Sequence, residues 1–425
     1  MSELKENDIV ALENGGEVKV KKELGRGGQG IVYLVDVQGE EKALKWYMNA
    51  PDDNFRKNLL HNAENGAPSD VFLWPEFITK KQQGSYGYVM RLRPKNYFEF
   101  GEFLLAKRRF KSFDAMLAAA LKICEGFEKL HRSGLSYQDL NDGNFFIEPD
   151  SGDVLICDND NVMPHGEKSG IMGKSRYMAP EIVAGGSPDT YSDRFSLSVI
   201  LFLLFYMNHP FEGAKVAGCP CLTESYEKKF YGSEALFIYD ADDKSNRPVR
   251  GIHTNVIRRW PVLPKELREA FTAEFNQRKL KNPQERMLES QWQKLIRRMR
   301  DNLVVCQHCG DETFVDIDAQ PCNCINCGHQ VDTSKQLIIG KRILTLTNKT
   351  KIYIDKDSVP DGLVTKDNAG ILILKNISNE TWTVETPSGK LREVVSQAVM
   401  PVREGLKISF PRETDRAEIK VLTNK

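Results

Sequence analysis

Hydrophobic and polar residues alternate in three different ways along this chain. From Val18 to about Leu92, short runs of alternating polarity predict β-strands, interrupted once by a helical stretch near residues 54–65. From residue 110 to 300 the apolar positions follow helical spacing, most clearly in 113–131, FDAMLAAALKICEGFEKLH. From residue 336 to the C-terminus, short strand-like runs separated by Gly, Asn, Pro and Ser return, which is typical of a small all-β sandwich or barrel.

The N-terminal residues and the longest apolar run indicate where in the cell the protein is expected. Residues 1–16 are charged and mixed, which predicts a tail without the apolar core of a signal peptide. The longest apolar run, FSLSVILFLLFYM at 195–207, contains two serines and is too short to span a bilayer. It predicts a buried helix, and the expected location is a reducing cytoplasm with no membrane partner.

Composition limits the class of protein. At about 150 residues per domain, the 425 residues suggest roughly three domains. The chain has 59 basic and 59 acidic residues, so its zero net charge argues against a nucleic-acid partner. Nine cysteines are too dilute for a disulfide scaffold, and five of them fall between Cys306 and Cys327.

A glycine-rich segment lies between two predicted strands. Residues 24–33, LGRGGQGIVY, carry the pattern G-x-G-x-x-G followed by a valine, formed by Gly25, Gly27, Gly30 and Val32. Glycines allow tight turns and bring backbone amides close to phosphate oxygens. Strands on both sides favour a hairpin that covers phosphates over the strand-to-helix turn of a dinucleotide site.

A lysine on the next predicted strand strengthens this interpretation. Lys45, in Ala43-Leu44-Lys45, follows Gly30 by fifteen residues and can reach the α- and β-phosphates beneath such a hairpin. A lone strand lysine is usually an exposed surface residue, so it is the pairing with the glycine segment that predicts a nucleotide site.

A second polar cluster follows the predicted helix at 113–131. Asp139 and Asn144 are five residues apart in YQDLNDGNFFI, and Asp158 follows the apolar strand VLIC. An aspartate can accept the proton of an attacking hydroxyl, while an asparagine and a second aspartate can hold Mg²⁺ against nucleotide phosphates. Any one of them alone would more often be a turn residue, but the ordered set predicts a phosphotransfer site.

These motifs resemble those of eukaryotic-type protein kinases over roughly residues 18–300. Further family marks follow in order: YMAPE, ending at Glu181, matches the end of the activation segment, and Asp193 matches the aspartate that begins the long buried helix. Pro283 and Arg286, in NPQERM, match the late motif whose arginine pairs with that glutamate. These late marks favour a protein kinase over small-molecule phosphotransferases.

The resemblance implies roles for the site residues. Asp139 would be the catalytic base, Lys45 would hold the α- and β-phosphates, and Asn144 and Asp158 would hold Mg²⁺ or Mn²⁺. In the hinge YVMRL, Met90 would be the gatekeeper. The implied ATP-binding set is Gly25, Gly27, Gly30, Val32, Ala43, Lys45, Met90 and Leu92.

Two family triplets are altered in this chain. His-Arg-Asp is Tyr137-Gln138-Asp139, so the arginine that holds a phosphorylated activation loop in many members is missing. Asp-Phe-Gly is Asp158-Asn159-Asp160. The metal-binding aspartate of this triplet could also be aligned with Asp160, but Asp158 is preferred because it directly follows the apolar strand.

Cations near the catalytic residues also differ. The lysine usually found two residues after the catalytic aspartate is Asn141, and the threonine of the substrate-binding loop is Lys174. In the family these positions lie close together, so we expect a charge swap in which Lys174 supplies the missing cation.

The glutamate that should pair with Lys45 is left open by the sequence. Counting forward from Lys45 points near Glu64, whereas counting back from Pro68 points near Asn58. If neither serves, the enzyme would be slow or would need a partner, and a pseudokinase that acts as a nucleotide-binding scaffold is the alternative function.

The clustered cysteines form two C-x-x-C-G knuckles fourteen residues apart. Four thiolates at this spacing suit a structural, tetrahedral Zn²⁺ site and resemble a zinc ribbon, with Cys322 and His308 as possible substitutes. The predicted ligands are Cys306, Cys309, Cys324 and Cys327.

The C-terminal β region after Gly370 resembles the second half of a forkhead-associated domain. The phosphothreonine-binding motifs of that family are not found upstream, so a structural or partner-docking sandwich is favoured over the alternative, a phosphopeptide-binding domain. Together with the kinase and ribbon, the arrangement resembles bacterial kinases of tellurium-resistance-like systems, which implies a metal-dependent protein phosphatase and a von Willebrand A-type protein as partners.

The sequence therefore predicts an α+β chain with a bilobal protein kinase fold, a zinc ribbon and a small all-β sandwich. The expected function is an ATP-dependent serine/threonine protein kinase of a bacterial signalling system, acting on itself or on protein partners. The predicted ranges are 1–16 for the tail, 17–92 and 93–300 for the two lobes, 301–332 for the ribbon and 333–425 for the sandwich.

Overall fold

The structure is a computed structural model that describes residues 3–421 except 83, 169, 171, 172, 317–320, 355–358 and 414. The chain divides into two compact units. The first consists of Met1–Phe110, Lys122–Ile257 and Ala270–Gln291, and the second of Lys111–Leu121, Arg258–Glu269 and Trp292–Lys425.

The first unit begins with a six-stranded antiparallel sheet. Its strands are β1 (Ile9–Ala11), β2 (Glu17–Arg26), β3 (Gly30–Val37), β4 (Glu40–Tyr47), β5 (Phe77–Ile78) and β6 (Gly87–Arg91), arranged in the order β1-β2-β3-β4-β6-β5. Helix α1 (Asp53–Asn65) lies between β4 and β5 in the chain, and the Asp52 carboxylate caps its N-terminus by accepting from the Phe55 amide at 2.8 Å. The region predicted as strand-rich is thus a single sheet with one helix inserted.

The N-terminal segment predicted as a tail is part of this sheet. Strand β1 pairs with the start of β2, with Val10 opposite Val18. Val10 and Leu12 are buried in the hydrophobic cluster of the sheet. The tail prediction was wrong because a three-residue edge strand carries too short an apolar pattern to stand out among charged neighbours.

After α1, the remaining helices lie mostly within the region predicted to be helical, 110–300. They are α2 (Phe100–Leu104), α3 (Phe113–Arg132), α4 (Pro180–Val183), α5 (Thr190–Tyr206), α6 (Ala214–Ala217), α7 (Glu224–Glu227), α8 (Thr254–Arg259), α9 (Lys265–Glu274), α10 (Gln277–Lys281) and α11 (Glu289–Asp301). Short strands between them are β7 (Phe98–Glu99), β8 (Leu135–Ser136), β9 (Phe145–Ile147), β10 (Val154–Ile156) and β11 (Met163–Pro164). The described residues of this region also include a π-helical turn, Lys228–Ser233, and the 3-10 turns Asp142–Asn144, Asn159–Asn161 and Pro283–Glu285.

The longest apolar run forms the buried helix α5, as predicted. Asp189 caps it by accepting from the Ser192 amide at 2.8 Å, while the Ser192 hydroxyl donates to the Asp189 carbonyl oxygen. Nearly every side chain from Phe195 to Tyr206 is buried, so its all-round hydrophobicity reflects the protein core. Among the described residues, no helix combines the length and apolarity that crossing a bilayer requires.

The second unit contains the C-terminal strands. They are β12 (Leu303–Val305), β13 (Glu312–Phe314), β14 (Lys335–Ile339), β15 (Arg342–Thr345), β16 (Lys351–Ile352), β17 (Gly362–Lys366), β18 (Leu372–Asn376), β19 (Trp382–Glu385), β20 (Leu391–Val394), β21 (Val399–Pro401), β22 (Lys407–Ser409) and β23 (Ala417–Val421). Strands β12 and β13 pair with each other, and the rest form a six-stranded sheet, β15-β14-β23-β22-β19-β20, and a four-stranded sheet, β16-β17-β18-β21. Side chains of both larger sheets contribute to one hydrophobic cluster around Trp382.

Within the second unit, polar contacts join the start of α3 and the end of α11 to the C-terminal strands. The Asp114 carboxylate accepts from Tyr353 Oη at 2.8 Å and from Lys351 Nζ at 2.5 Å. Arg342 makes a bidentate pair with Asp301 at 2.8 and 2.9 Å. The compact second unit therefore includes residues from within the range predicted for the kinase-like region, 17–300.

Candidate phosphotransfer site and cysteine cluster

The glycine-rich segment is the turn of the β2–β3 hairpin. Gly25 lies opposite Val32 in the register, and the Gly27 amide donates to the Gly30 carbonyl oxygen at 2.9 Å. A Cβ atom at Gly30 would lie 2.4 Å from the Trp46 carbonyl oxygen, so only glycine lets β3 approach β4 this closely here. The predicted hairpin, rather than a strand-to-helix turn, is the geometry found.

An apolar surface lies under this hairpin. Ala43 on β4 is opposite Met90 on β6 in the sheet register, and both are buried. Val32 and Leu92 pack against the same hydrophobic cluster. These four residues of the predicted ATP-binding set are thus brought together, although they span sixty residues of sequence.

Lys45 is buried on β4 and points into a carboxylate pair. Its Nζ lies 2.9 Å from Asp160 Oδ2 and 3.4 Å from Asp158 Oδ1. Burial by itself would lower the pKa of Lys45, but the charges of Asp160 and Asp158 outweigh it, so the pKa lies above its ordinary value. Gln29, from the glycine-rich turn, accepts a further hydrogen bond from the same Nζ at 3.1 Å. The lysine is therefore held as a cation between the hairpin and the segment after β10.

Asp139 is positioned by amide side chains. Asn144 Nδ2 donates to the Asp139 carbonyl oxygen at 2.7 Å, and Asn141 Nδ2 donates to Asp139 Oδ1 at 3.2 Å. Lys174 Nζ in turn donates to Asn141 Oδ1 at 3.0 Å. The two positions of the expected charge swap therefore lie in hydrogen-bonding contact.

The pKa of the Asp139 carboxyl is higher than its ordinary value. Burial raises its pKa to about 6, the nearby Asp158 carboxylate adds to the effect, and the Asn141 hydrogen bond and the Lys174 charge oppose it. A carboxylate with this pKa is ionised at pH 7 and basic enough to accept a proton in a reaction.

The loop that carries Asp139 is anchored by Asp193 at the start of α5. Its carboxylate accepts from the Tyr137 amide at 2.6 Å and from the Gln138 amide at 3.1 Å. His131 bridges Asp193 and Glu289, at 3.2 and 2.8 Å. Burial opposes the charge on His131, but the two carboxylates raise its pKa to about 9, so this bridge is cationic at neutral pH.

Asp158 lies two residues after β10 in a left-handed backbone conformation, with φ of 56°. Its side chain is 40% exposed, in contrast to Asp160, which is fully buried. Although part of the side chain is exposed, the surrounding protein desolvates the Asp158 carboxylate and raises its pKa, and the Lys45 charge opposes that rise. Because Asn144 uses its Nδ2 on the Asp139 carbonyl, Oδ1 is the atom that it can offer to a cation. A carboxylate and an amide oxygen are ligands that suit Mg²⁺.

The late motifs also meet as predicted. Arg286 makes a bidentate pair with Glu181, at 2.7 and 2.8 Å. The arginine side chain is buried, and it also donates to the Tyr191 carbonyl oxygen at 2.9 Å. This pair ties the residues after YMAP to the 3-10 turn that precedes α11.

The cysteine knuckles bring four sulfur atoms together. All four lie within 4.8 Å of one another, with Cys306–Cys327 and Cys309–Cys324 Sγ separations of 3.7 Å. A tetrahedral zinc site with Zn–S bonds of about 2.3 Å requires S–S separations of roughly 3.8 Å. The donor set therefore fits Zn²⁺.

The two knuckles share one backbone pattern. The glycines that follow the second cysteines, Gly310 and Gly328, have φ of 79° and 74°. Their amides donate to the carbonyl oxygens of Cys306 and Cys324 at 3.0 and 2.9 Å. Cys322 Sγ donates instead to the Asp316 carbonyl oxygen at 2.9 Å, so it does not join the four-sulfur group. His308 is not one of these four sulfur ligands, but its ring and the His329 ring, which stack with centroids 3.5 Å apart, each place a nitrogen within 4.8 Å of Cys327 Sγ. The predicted substitute ligand therefore lies next to the site.

Sequence reasoning missed Gln29, Tyr47 and the role of Asp160 in this site. Tyr47 donates to Asp160 Oδ2 at 2.6 Å and lies two residues after Lys45, on the same face of β4. That period-two spacing was the available signal for Tyr47. Nothing local in the sequence marks Asp160 as the main partner of a lysine 115 residues earlier.

Comparison with known proteins agrees with this geometry. Residues 18–219 match the family described as "Protein kinase domain". Protein kinase C delta type from Mus musculus is 28% identical over 203 residues, which cover 45% of this chain and 30% of the relative. The serine/threonine-protein kinase PknK from Mycobacterium tuberculosis is 27% identical over 193 residues, 43% of this chain and 17% of that protein.

Among solved structures, the Mycobacterium tuberculosis PknI kinase domain, as a double mutant, is similar at 19% identity and a TM-score of 0.47. The similarity covers 70% of this chain and 98% of that one. The chain spans less than a third of the length of the curated relatives named above. Over residues 18–219, this chain carries a protein kinase domain.

Proposed function

We propose that this chain is an ATP- and Mg²⁺-dependent protein kinase that phosphorylates serine or threonine hydroxyls of itself or of a protein partner. The observation that carries the proposal is the Lys45–Asp158 contact of 3.4 Å, which joins strand β4 to the segment after β10. Gln29 accepts from the same Lys45 Nζ and so connects this contact to the hairpin turn, while Asn144 donates to the Asp139 carbonyl oxygen.

The residues divide the work of phosphoryl transfer. Lys45 contacts the α- and β-phosphates, and the apolar surface of Val32, Ala43 and Met90 holds the adenine. Mg²⁺ held by Asn144 and Asp158 supplies charge neutralisation on the phosphates. Asp139 orients the acceptor hydroxyl and accepts its proton, and Lys174 provides positive charge beside it. Catalysis is then mainly positioning and charge stabilisation.

The pH dependence of the reaction is expected to follow Asp139. Its pKa of about 6 means that the base is ionised above that pH, so kcat/KM should be level above pH 7 and fall about tenfold per unit well below pH 6. Lys174 lowers this pKa, so Lys174→Met should move the acid limb to higher pH and lower kcat. Steady-state rates from pH 5 to 9 on both proteins measure this. An unshifted limb with unchanged transfer would contradict the charge swap.

The proposed activity is tested by transfer of ³²P from γ-labelled ATP, followed by mass spectrometry of the modified residues. Wild-type protein with Mg²⁺ is expected to label itself or an added protein on serine or threonine. The matched control is Asp139→Ala, which should bind ATP but transfer no label. Transfer that survives this substitution would contradict the assignment. ATP binding without transfer to any acceptor would favour the nucleotide-binding scaffold.

We further propose that residues 301–332 are a zinc ribbon and residues 333–425 a β-sandwich that serves a structural or docking role. The four-sulfur geometry supports the first, and the hydrophobic cluster common to two sheets supports the second. The earlier resemblance to tellurium-resistance-like systems suggests a cytoplasmic bacterial setting. There, a metal-dependent protein phosphatase and a von Willebrand A-type protein would be partners.

A further inference from the structure

We infer that Asp160 is the positioning residue that holds Lys45 for ATP, in the place that a glutamate of helix α1 takes in related kinases. The inference rests on the proposed function, because it assigns Lys45 to the phosphates. It concerns an activation-segment residue that the sequence motifs treat only as an alternative metal ligand.

The contacts of Asp160 are those of a dedicated charge partner. Its two carboxylate oxygens lie 2.9 and 3.1 Å from Lys45 Nζ, and Oδ2 also accepts from the Tyr47 hydroxyl at 2.6 Å. The side chain is fully buried. A buried carboxylate and a buried ammonium stabilise each other's charged forms, and removing one leaves the other uncompensated. Lys45, Tyr47 and Asp160 therefore form one buried network.

Helix α1 offers Lys45 no replacement for this partner. Its sequence contains two acidic residues: Asp53, which pairs with Lys81 on the surface at 2.5 Å, and Glu64, which is exposed near the end of the helix. Asn58, the other position that the sequence left open, donates to the Val162 carbonyl oxygen at 2.7 Å. Neither Glu64 nor Asn58 is the partner that the structure gives to Lys45.

The helix is instead tied to the segment that carries Asp160. Asn62, one turn after Asn58, donates to the same Val162 carbonyl oxygen at 3.0 Å. Two neutral amides thus hold α1 against the residues following Asp160. In the usual arrangement a charged pair joins the helix directly to the lysine. Here the activation segment supplies the charge and α1 supplies only uncharged hydrogen bonds.

Exposure separates the roles of the two aspartates. Asp158 is 40% exposed, as a residue that must meet Mg²⁺ and nucleotide should be, whereas Asp160 is fully buried and has both oxygens engaged by Lys45. If Asp160 were the metal ligand instead, its carboxylate would have to give up these contacts with Lys45. The geometry therefore assigns Asp158 to the metal and Asp160 to the lysine.

The test measures binding of a fluorescent ATP analogue to full-length Asp160→Asn, with Mg²⁺ and again in EDTA. We expect the dissociation constant to rise at least tenfold under both conditions, because the lysine–phosphate contact does not need the metal. Asp158→Asn should weaken binding only when Mg²⁺ is present. Glu64→Gln is the matched control for loss of one carboxylate and should bind as wild type does.

Several outcomes would overturn the inference. Asp160→Asn that weakens binding only with Mg²⁺ would make Asp160 a metal ligand, and a loss confined to Glu64→Gln would restore the helix glutamate. If Asp160→Asn does not fold, Tyr47→Phe decides, since it removes one hydrogen bond from Asp160: a threefold or larger loss in EDTA supports the inference, and unchanged binding contradicts it. Because binding is measured without transfer, an inactive wild-type protein would contradict the proposed function but leave this result readable.

Discussion

Replacing Asp158 with asparagine is expected to lower kcat for phosphoryl transfer by roughly 10³-fold or more. A metal ion that neutralises a transferring phosphoryl group contributes several kcal/mol to the reaction, and each 1.4 kcal/mol is about a factor of ten in rate. The substituted amide keeps the shape of the side chain but loses the negative charge that binds Mg²⁺. The rate of the variant at saturating ATP should stay below that of the wild type at every Mg²⁺ concentration from 1 to 50 mM. It should also rise more steeply with Mg²⁺ concentration than the wild-type rate does.

The backbone conformation at Asp158 should allow this substitution without unfolding the protein. The left-handed backbone at Asp158 is one that asparagine also adopts readily, so Asp158→Asn should fold. Asp53→Asn makes the same chemical change on the surface, at the start of α1, and should leave kcat unchanged. If Asp158→Asn retains transfer with an ordinary Mg²⁺ response, the metal assignment is wrong.

Removal of zinc is expected to unfold the knuckle region. Structural Zn²⁺ in small sites contributes on the order of 10 kcal/mol of folding free energy at neutral pH. The second unit has two short strands, β12 and β13, between and beside these knuckles, and so little core cannot hold them without the ion. Cys309→Ser should therefore lose the metal, and residues 303–316 and 321–331 should lose protection from hydrogen exchange.

Metal analysis of the purified full-length protein gives the direct measurement. We expect one Zn²⁺ per chain in the wild type and less than one tenth of that in Cys309→Ser. Cys322→Ser should keep the full amount, because that sulfur bonds to the Asp316 carbonyl, and Cys221→Ser is the control for an exposed thiol. Zinc lost from Cys322→Ser but kept in Cys309→Ser would replace the proposed ligand set by the alternative one.

Much of the fold followed from local patterns. Helices α3 and α5 were predictable because their apolar spacing and their buried run are written in consecutive residues. The cysteine knuckles were predictable for a similar reason, since C-x-x-C-G brings two sulfurs close within one turn. The Arg286–Glu181 pair was predictable only through the family resemblance, because 105 residues separate the two.

Other features were beyond local signals. Strand β1 gains its stability from pairing with β2 and from burying Val10, and neither is visible in a short, charged segment. The start of α3 belongs with the C-terminal strands because Asp114 meets Tyr353, 239 residues later. Such contacts depend on how distant elements pack, and no spacing rule within one element encodes them.

The sequence by itself determined which chemistry is predicted for this chain. The order of Lys45, Asp139, Asn144 and Asp158 predicts phosphotransfer because it resembles that of the kinase family. The four cysteines predict zinc because each C-x-x-C-G motif brings two sulfurs close within one turn. Only the tertiary structure decided the partner of Lys45. Counting along the chain offered Glu64 or Asn58, whereas burial selected Asp160, since a buried ammonium requires a carboxylate within contact distance whatever its position in the sequence.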